Sequence, residues 1–248
     1  MNFYLDIPFT FPGNISKTFD LIVPADNSAK IPLLVWIHGG AWSGGEKRIF
    51  NDFERFVYRG YAVLSIDYRL SNEAVFPAQL EDCKTAIRWA RANAEKYGYN
   101  AENIIVGGSS AGGHLATLLG VTNGKTEYDV GPYKNYSSDV QAVVDLFGPS
   151  DLRNLPTLQD AINKLVNNDE SLAMLASPVH HVPVYVPDFL IVHGTADRVV
   201  PIEQSRLLKT YLFELGADVE YLEIAEGIHG FDSSEFYNIM NKFILEHT

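Results

Sequence analysis

The chain predicts an α/β protein: one mostly parallel sheet with helices on both faces. Three observations predict it. Strand-like and helix-like segments alternate along the chain. Several strand segments are short continuous apolar runs, the pattern of strands covered on both sides. The length, 248 residues, suits one domain of this class and a sizeable core.

The predicted strands are 17–23, 33–38, 62–68, 103–107, 142–146, 189–193 and 219–224. The first segment, 3–10, reads as an antiparallel edge strand. Helical patterns fall at 46–59, 77–97, 110–119, 202–215 and 233–247. In the second of these, Leu80, Cys83, Ile87, Ala90, Ala94 and Tyr97 recur at steps of three and four, so they form one apolar stripe. Cys83, the only cysteine, therefore belongs to the core, and no internal disulfide is possible. In the last helix, Phe236, Ile239, Met240, Phe243 and Ile244 make a similar stripe. The segment 149–187, studded with five prolines and carrying one helical stretch, reads as a small cap-like excursion of a single 1–248 domain.

Composition narrows the partners. A net charge of -12 repels phosphates, so no nucleic-acid partner is expected. No apolar stretch reaches the length of a membrane span. Residues 1–10 lack the basic and apolar regions of a secretory leader, so the default compartment is the cytoplasm; a secreted protein whose leader had been removed would read the same way. The composition leaves the oligomeric state open.

The chemistry starts at Ile104-Ile105-Val106-Gly107-Gly108-Ser109-Ser110-Ala111-Gly112. An apolar strand runs into glycines, a serine and then a helix, and Gly108 to Gly112 spells G-x-S-x-G. Such an elbow needs tiny flanking residues, and it presents one hydroxyl at a helix N-terminus, where negative charge is favoured. Ser110, the central residue, is the predicted nucleophile, with Ser109 the lesser choice. A hydroxyl needs a base. After such an elbow the partners run acid then histidine. That order selects His229, which glycines bracket after the last strand. His38, His114, His180, His181, His193 and His247 are read as packing, pocket-lining, backbone-bonding or solvated residues. Asp197 follows a strand and a glycine turn and is the predicted acid; Asp145 and Asp151 are possible substitutes. The histidines show no spaced ligand set, so neither a metal nor a cofactor is expected. The strand ending in His38-Gly39-Gly40-Ala41-Trp42 places exposable backbone N–H groups for an oxyanion. Gly39, Gly40, Ala41 and Ala111 are the candidate hole. Trp42, Tyr68, Phe76 and Phe147 are candidate pocket walls, with core packing the competing reading.

Together these motifs resemble the α/β-hydrolases of the hormone-sensitive-lipase and bacterial feruloyl/acetyl-esterase type. The resemblance rests on His38-Gly39-Gly40-Ala41-Trp42, Asp67-Tyr68-Arg69-Leu70, Phe76-Pro77-Ala78-Gln79-Leu80-Glu81-Asp82, Gly108-Ser109-Ser110-Ala111-Gly112-Gly113-His114-Leu115-Ala116 and His193-Gly194-Thr195-Ala196-Asp197 with Val200-Pro201. It extends from about Thr18 onward. It implies the α/β-hydrolase fold with a minimal cap, and Ser110, Asp197 and His229 as a triad. Ala41 stands where that type carries a glycine, and Ser109 where many relatives carry an aspartate. It also implies an Asp67-Tyr68-Arg69 element behind the site, and a small-molecule or carbohydrate ester as substrate. An arylformamidase and a catalytically silent hydrolase-fold binding protein are the competing readings. A peptidase of the prolyl-oligopeptidase type would need a propeller, for which this chain has no room.

Overall fold

Period-two alternation sorts the strand side chains onto the two faces of one sheet. A computed structural model describes residues 1–10, 16–25, 31–47, 51–230 and 234–247. Its eight strands are β1 (Asn2–Thr10), β2 (Ser16–Val23), β3 (Ile31–Ile37), β4 (Ala62–Ile66), β5 (Tyr99–Ser109), β6 (Ala142–Leu146), β7 (Asp188–Gly194) and β8 (Val219–Ile224). Their order across the sheet is β1-β2-β4-β3-β5-β6-β7-β8. The β1/β2 and β2/β4 pairs are antiparallel, and the pairs from β4 through β8 are parallel. The expected antiparallel edge strand is therefore present, with a register shift beside Asp6 at φ 52°.

Among the described residues, seven α-helices connect or cover the strands: α1 (Asn51–Tyr58), α2 (Ala78–Tyr97), α3 (Ala111–Val121), α4 (Gln159–Leu165), α5 (Glu170–Leu175), α6 (Glu203–Glu214) and α7 (Ser234–Glu246). One core lies between the sheet and α2, α3 and α6, built on Leu33, Val35, Ile104, Val106, Val143 and Ile191. The other lies under α1 and α7, where Leu34, Ile105, Val144 and Val192 meet Phe56, Met240 and Phe243. Both faces of the central parallel strands are thus buried, which is why their middles read as unbroken apolar runs, whereas the edge strand β8, Val-Glu-Tyr-Leu-Glu-Ile, is only half-buried. Cys83 is wholly buried in the first core, and burial raises its thiol pKa.

The helix expected over 46–59 is shorter: α1 spans Asn51–Tyr58, and residues 48–50 lie outside the described residues. Lys47 is not helical. Its backbone N–H donates to Asp67 Oδ1 at 2.6 Å, and its ammonium reaches Asp6 at 2.8 Å and Asp20 at 3.3 Å. The start of the segment is used to close the β4 end of the sheet. Likewise β4 stops at Ile66, short of the expected 68, because Asp67, Tyr68 and Arg69 turn inward. Arg69 pairs with the buried Asp82 of α2 at 2.7 Å. Burial pushes the Asp82 carboxyl up to about 6 against the pull of that guanidinium. Among the described residues, no helix is long and apolar enough to cross a membrane.

Candidate active site

The site forms where the parallel strands end. β5 delivers Ser110 into the turn before α3 with φ 56° and ψ -121°, a conformation that costs a non-glycine residue on the order of 1–3 kcal/mol. Neighbouring backbone leaves room for nothing else. A Cβ on Gly108 would collide with Gly112, and one on Gly112 would collide with the carbonyls of Ile37 and His38. The Ser110 N–H donates to Leu146 O at 2.8 Å, which pins the elbow to β6.

The acid and the histidine come from two loops that knit together. Asp197 follows β7 and His229 follows β8. Ala196 N–H donates to Gly227 O at 2.8 Å, and Glu226 N–H donates to Thr195 Oγ1 at 2.9 Å. Gly194 and Gly227 lie so close that a Cβ on either would strike the other. This contact sets the imidazole. His229 Nδ1 lies 2.7 Å from Asp197 Oδ2, and its Nε2 lies 3.1 Å from Ser110 Oγ. Because the carboxylate can only accept, Nδ1 carries the proton and the Nε2 lone pair faces the serine hydroxyl. The other carboxylate oxygen accepts from Val199 N–H at 2.8 Å and Val200 N–H at 3.0 Å. The Asp197 side chain is fully buried, while that of His229 is 21% exposed.

The structure therefore brings Ser110, His229 and Asp197 into one hydrogen-bonded line. The substitute acids lie elsewhere. Asp145 is buried below the elbow, where its Oδ1 accepts from Gly148 N–H at 2.9 Å, and burial pushes its carboxyl up to about 7. Asp151 caps a turn in the excursion and pairs with Arg153 at 2.9 Å.

The His-Gly-Gly loop runs beside the elbow: a Cβ on Gly39 would sit 3.4 Å from Ser110 Cβ. Gly40, Ala41 and Trp42 all have positive φ, at 114°, 50° and 56°. Among the described residues, the N–H groups of Gly40 and Ala41 donate to no protein acceptor. Ala111 opens α3, so its N–H has no partner four residues back.

Three expected pocket walls are corrected. Trp42 and Tyr68 have 0% and 1% of their surface exposed, so neither side chain can touch a substrate in this arrangement. Both are used inward instead. Tyr68 stacks on His38 at 4.4 Å and donates its hydroxyl to His38 O, and the Trp42 indole N–H donates to His114. Phe76 is buried as well. Phe147 keeps its place beside the site, its ring centroid 4.7 Å from that of His229 and the two rings edge to face.

Reading the sequence also missed a contact of His193. Its Nε2 reaches Val200 O at 2.9 Å, a backbone bond of the kind expected, but it also lies 3.2 Å from Asp197 Oδ2. The i, i+4 spacing of His193 and Asp197 was the available signal. His247, expected to be solvated, instead lies 3.1 Å from Asp188 at the start of β7. Of the excursion histidines, His180 lies 3.7 Å from Asp151 and His181 bonds Leu175 O at 2.7 Å. Among the described residues, no group of three or more His, Cys, Asp or Glu side chains is placed to hold a metal.

Known proteins carry the same arrangement of chain. The BD-FAE family profile matches residues 19–212. Esterase LipC of Mycobacterium tuberculosis is 35% identical over 214 residues, 81% of this chain and 53% of LipC. A truncated form of a carbohydrate esterase from gut microbiota matches with a TM-score of 0.87 and 30% identity, covering 100% of this chain and 96% of that one. The butyrate-bound esterase Est2 of Thermogutta terrifontis matches with a TM-score of 0.83 and 26% identity, over 98% and 93% of the two chains. The chain spans about half the length of the mycobacterial relatives it matches.

Proposed function

Because this chain belongs to the BD-FAE family and has the α/β-hydrolase fold, we propose that it is a serine carboxylic-ester hydrolase working through an acyl-enzyme. The membership agrees with the hormone-sensitive-lipase-like, feruloyl/acetyl-esterase resemblance of its motifs. One observation carries the mechanism: His229 bridges the Ser110 hydroxyl and the buried Asp197 carboxylate.

In this reading Ser110 Oγ attacks the ester carbonyl while His229 Nε2 takes the hydroxyl proton. Asp197 holds the imidazole tautomer and stabilises the imidazolium. Backbone N–H groups at Gly40, Ala41 and Ala111, with Gly39 shaping the approach, receive the developing oxyanion. His229 then returns the proton to the leaving alcohol, which departs and leaves the acyl group on Ser110. Water, activated by the same imidazole, releases the acid. Phe147 forms one wall beside His229.

The substrates we propose are short acyl or aryl esters, such as acetyl or feruloyl groups on carbohydrate. The carbohydrate-esterase relative supports the alcohol, and the butyrate-bound Est2 relative supports the short acyl chain. The test is a panel of aryl acetate, butyrate, octanoate, methyl ferulate, acetylated xylan fragments and N-formylkynurenine, with fluorophosphonate labelling of Ser110. Ser110 should label, and kcat/KM should be highest from acetyl to butyryl. A preference for octanoyl would favour a lipase, turnover of N-formylkynurenine alone would favour a formamidase, and labelling without turnover would favour a binding protein.

A further inference from the structure

The turn that follows β3 holds three consecutive residues at positive φ, and two of them, Ala41 and Trp42, are not glycine. L-residues avoid this region because Cβ crowds the carbonyl. Their backbone therefore needs an anchor, and the Trp42 side chain supplies one. Its indole is wholly buried, and Nε1–H donates to His114 Nδ1 at 3.0 Å, with the rings edge to face at 5.1 Å. His114 also has no exposed surface. Its Nε2 lies 2.6 Å from Ala176 O, and its backbone N–H donates to Ser110 O at 3.0 Å. Because Nδ1 accepts, Nε2 must carry the proton, so the ring is a neutral, single tautomer. Burial pushes its protonation down to about 4, so it stays neutral near pH 7. A second tie runs from Ser71 N–H to Trp42 O at 2.7 Å. His181 grips the neighbouring carbonyl, Leu175 O, at 2.7 Å. One imidazole thus joins the turn, the nucleophile's helix and the excursion.

We propose that Trp42 and His114 are positioning residues that aim the Gly40 and Ala41 N–H groups at the oxyanion of the tetrahedral ester adduct. This rests on the serine-esterase reading above. Neither residue touches the substrate. The oxyanion forms only as the reaction proceeds, so loss of the link lowers kcat and leaves ground-state binding alone.

The experiment compares 4-nitrophenyl acetate kinetics with the affinity for phenylboronic acid, which forms a tetrahedral adduct on an active-site serine. Trp42→Phe keeps an aromatic ring and deletes the indole N–H together with part of the ring volume; His114→Leu deletes the acceptor. Each should lower kcat by about tenfold, less than the roughly 10²–10³ of deleting a hole donor outright, and weaken the boronate by the same factor. KM should stay within about twofold. The double variant should be no worse than either single one, because both remove the same link. His114→Asn, whose amide oxygen stands in for Nδ1, should recover most of kcat. Single variants that lose thermal stability but keep kcat and boronate affinity within about twofold overturn the proposal, as do additive losses. If the wild-type protein neither binds boronate nor needs Ser110, the serine reading itself fails and takes this role with it. If the wild-type binds boronate and the variants bind equally well, the positioning role alone fails.

Discussion

The two halves of the candidate site are held by different physics. The elbow half, from Gly107 to Gly113, is wedged between β3, β6 and α3: a Cβ would strike backbone at Gly108 and Gly112, the Trp36 ring at Gly107 and the Asp145 carboxyl at Gly113. The acid–histidine half is two loops joined by hydrogen bonds and by one close glycine contact, Gly194 against Gly227; beyond that contact it is more open, with Ile228 64% exposed and, among the described residues, nothing within reach of a Cβ on Gly230. Packing positions the serine to a fraction of an ångström and tolerates no change of shape. Hydrogen bonds orient the imidazole while leaving it 21% exposed, as the proposed proton exchange with water and a departing alcohol requires. The comparison predicts that substitutions in the first half damage the fold when they change shape, whereas those in the second damage chemistry.

Ser110→Ala is the exception that sharpens this contrast, since it removes the reacting atom without adding any. It should lower kcat by about 10⁶ with an unchanged melting temperature. Retention of more than a few per cent of activity in pure protein would remove Ser110 from its role. Asp197→Asn should lower kcat by roughly 10⁴, because the amide can hold the imidazole in the wrong tautomer. An unaffected rate, with activity lost instead in Asp145→Asn or Asp151→Asn, would transfer the acid's role.

Gly112→Ala tests the packing half directly. Its methyl would meet two carbonyls, so the variant should be destabilised by about 5 kcal/mol or fail to fold. Soluble, active protein would break the comparison. Asp145→Asn should act on stability through pH. The folded carboxyl titrates at about 7 and an unfolded one near 3.9, so between these values the folded state keeps a proton that the unfolded state has lost. Wild-type stability therefore falls as pH rises through this window, by up to about 4 kcal/mol, and the variant lacks that fall. Chemical denaturation at pH 4.5, 6 and 8 checks it, and a wild-type–variant difference that ignores pH refutes it. Gly230→Ala is the smallest change. Its φ of 106° makes alanine strained, but no neighbour among the described residues is struck, so a loss of roughly 1–2 kcal/mol in stability and less than about tenfold in kcat is expected. A collapse of the fold would show that the loop is as tightly packed as the elbow.

Local order along the chain was enough to single out the elements of the sheet and the three side chains that meet at its edge. Gly108-Ser109-Ser110-Ala111-Gly112 carries its own geometry, since a strand, tiny residues and a helix in succession leave few backbone paths. Asp197 and His229 each follow a strand within a few residues, so chain order alone placed them on the same side of the sheet. What chain order could not decide was direction. Trp42 and Tyr68 sit next to functional backbone, yet their rings turn into the core, because His114 and His38 offer them partners there. Nothing local distinguishes an aromatic ring that faces a pocket from one that faces a core. Lys47 left its helical pattern for Asp67, and His193 found Asp197, for the same reason. Periodicity and turn chemistry act over neighbouring residues and are written in the sequence. The partner of a buried polar atom lies across the fold, and only the closed tertiary structure selects it.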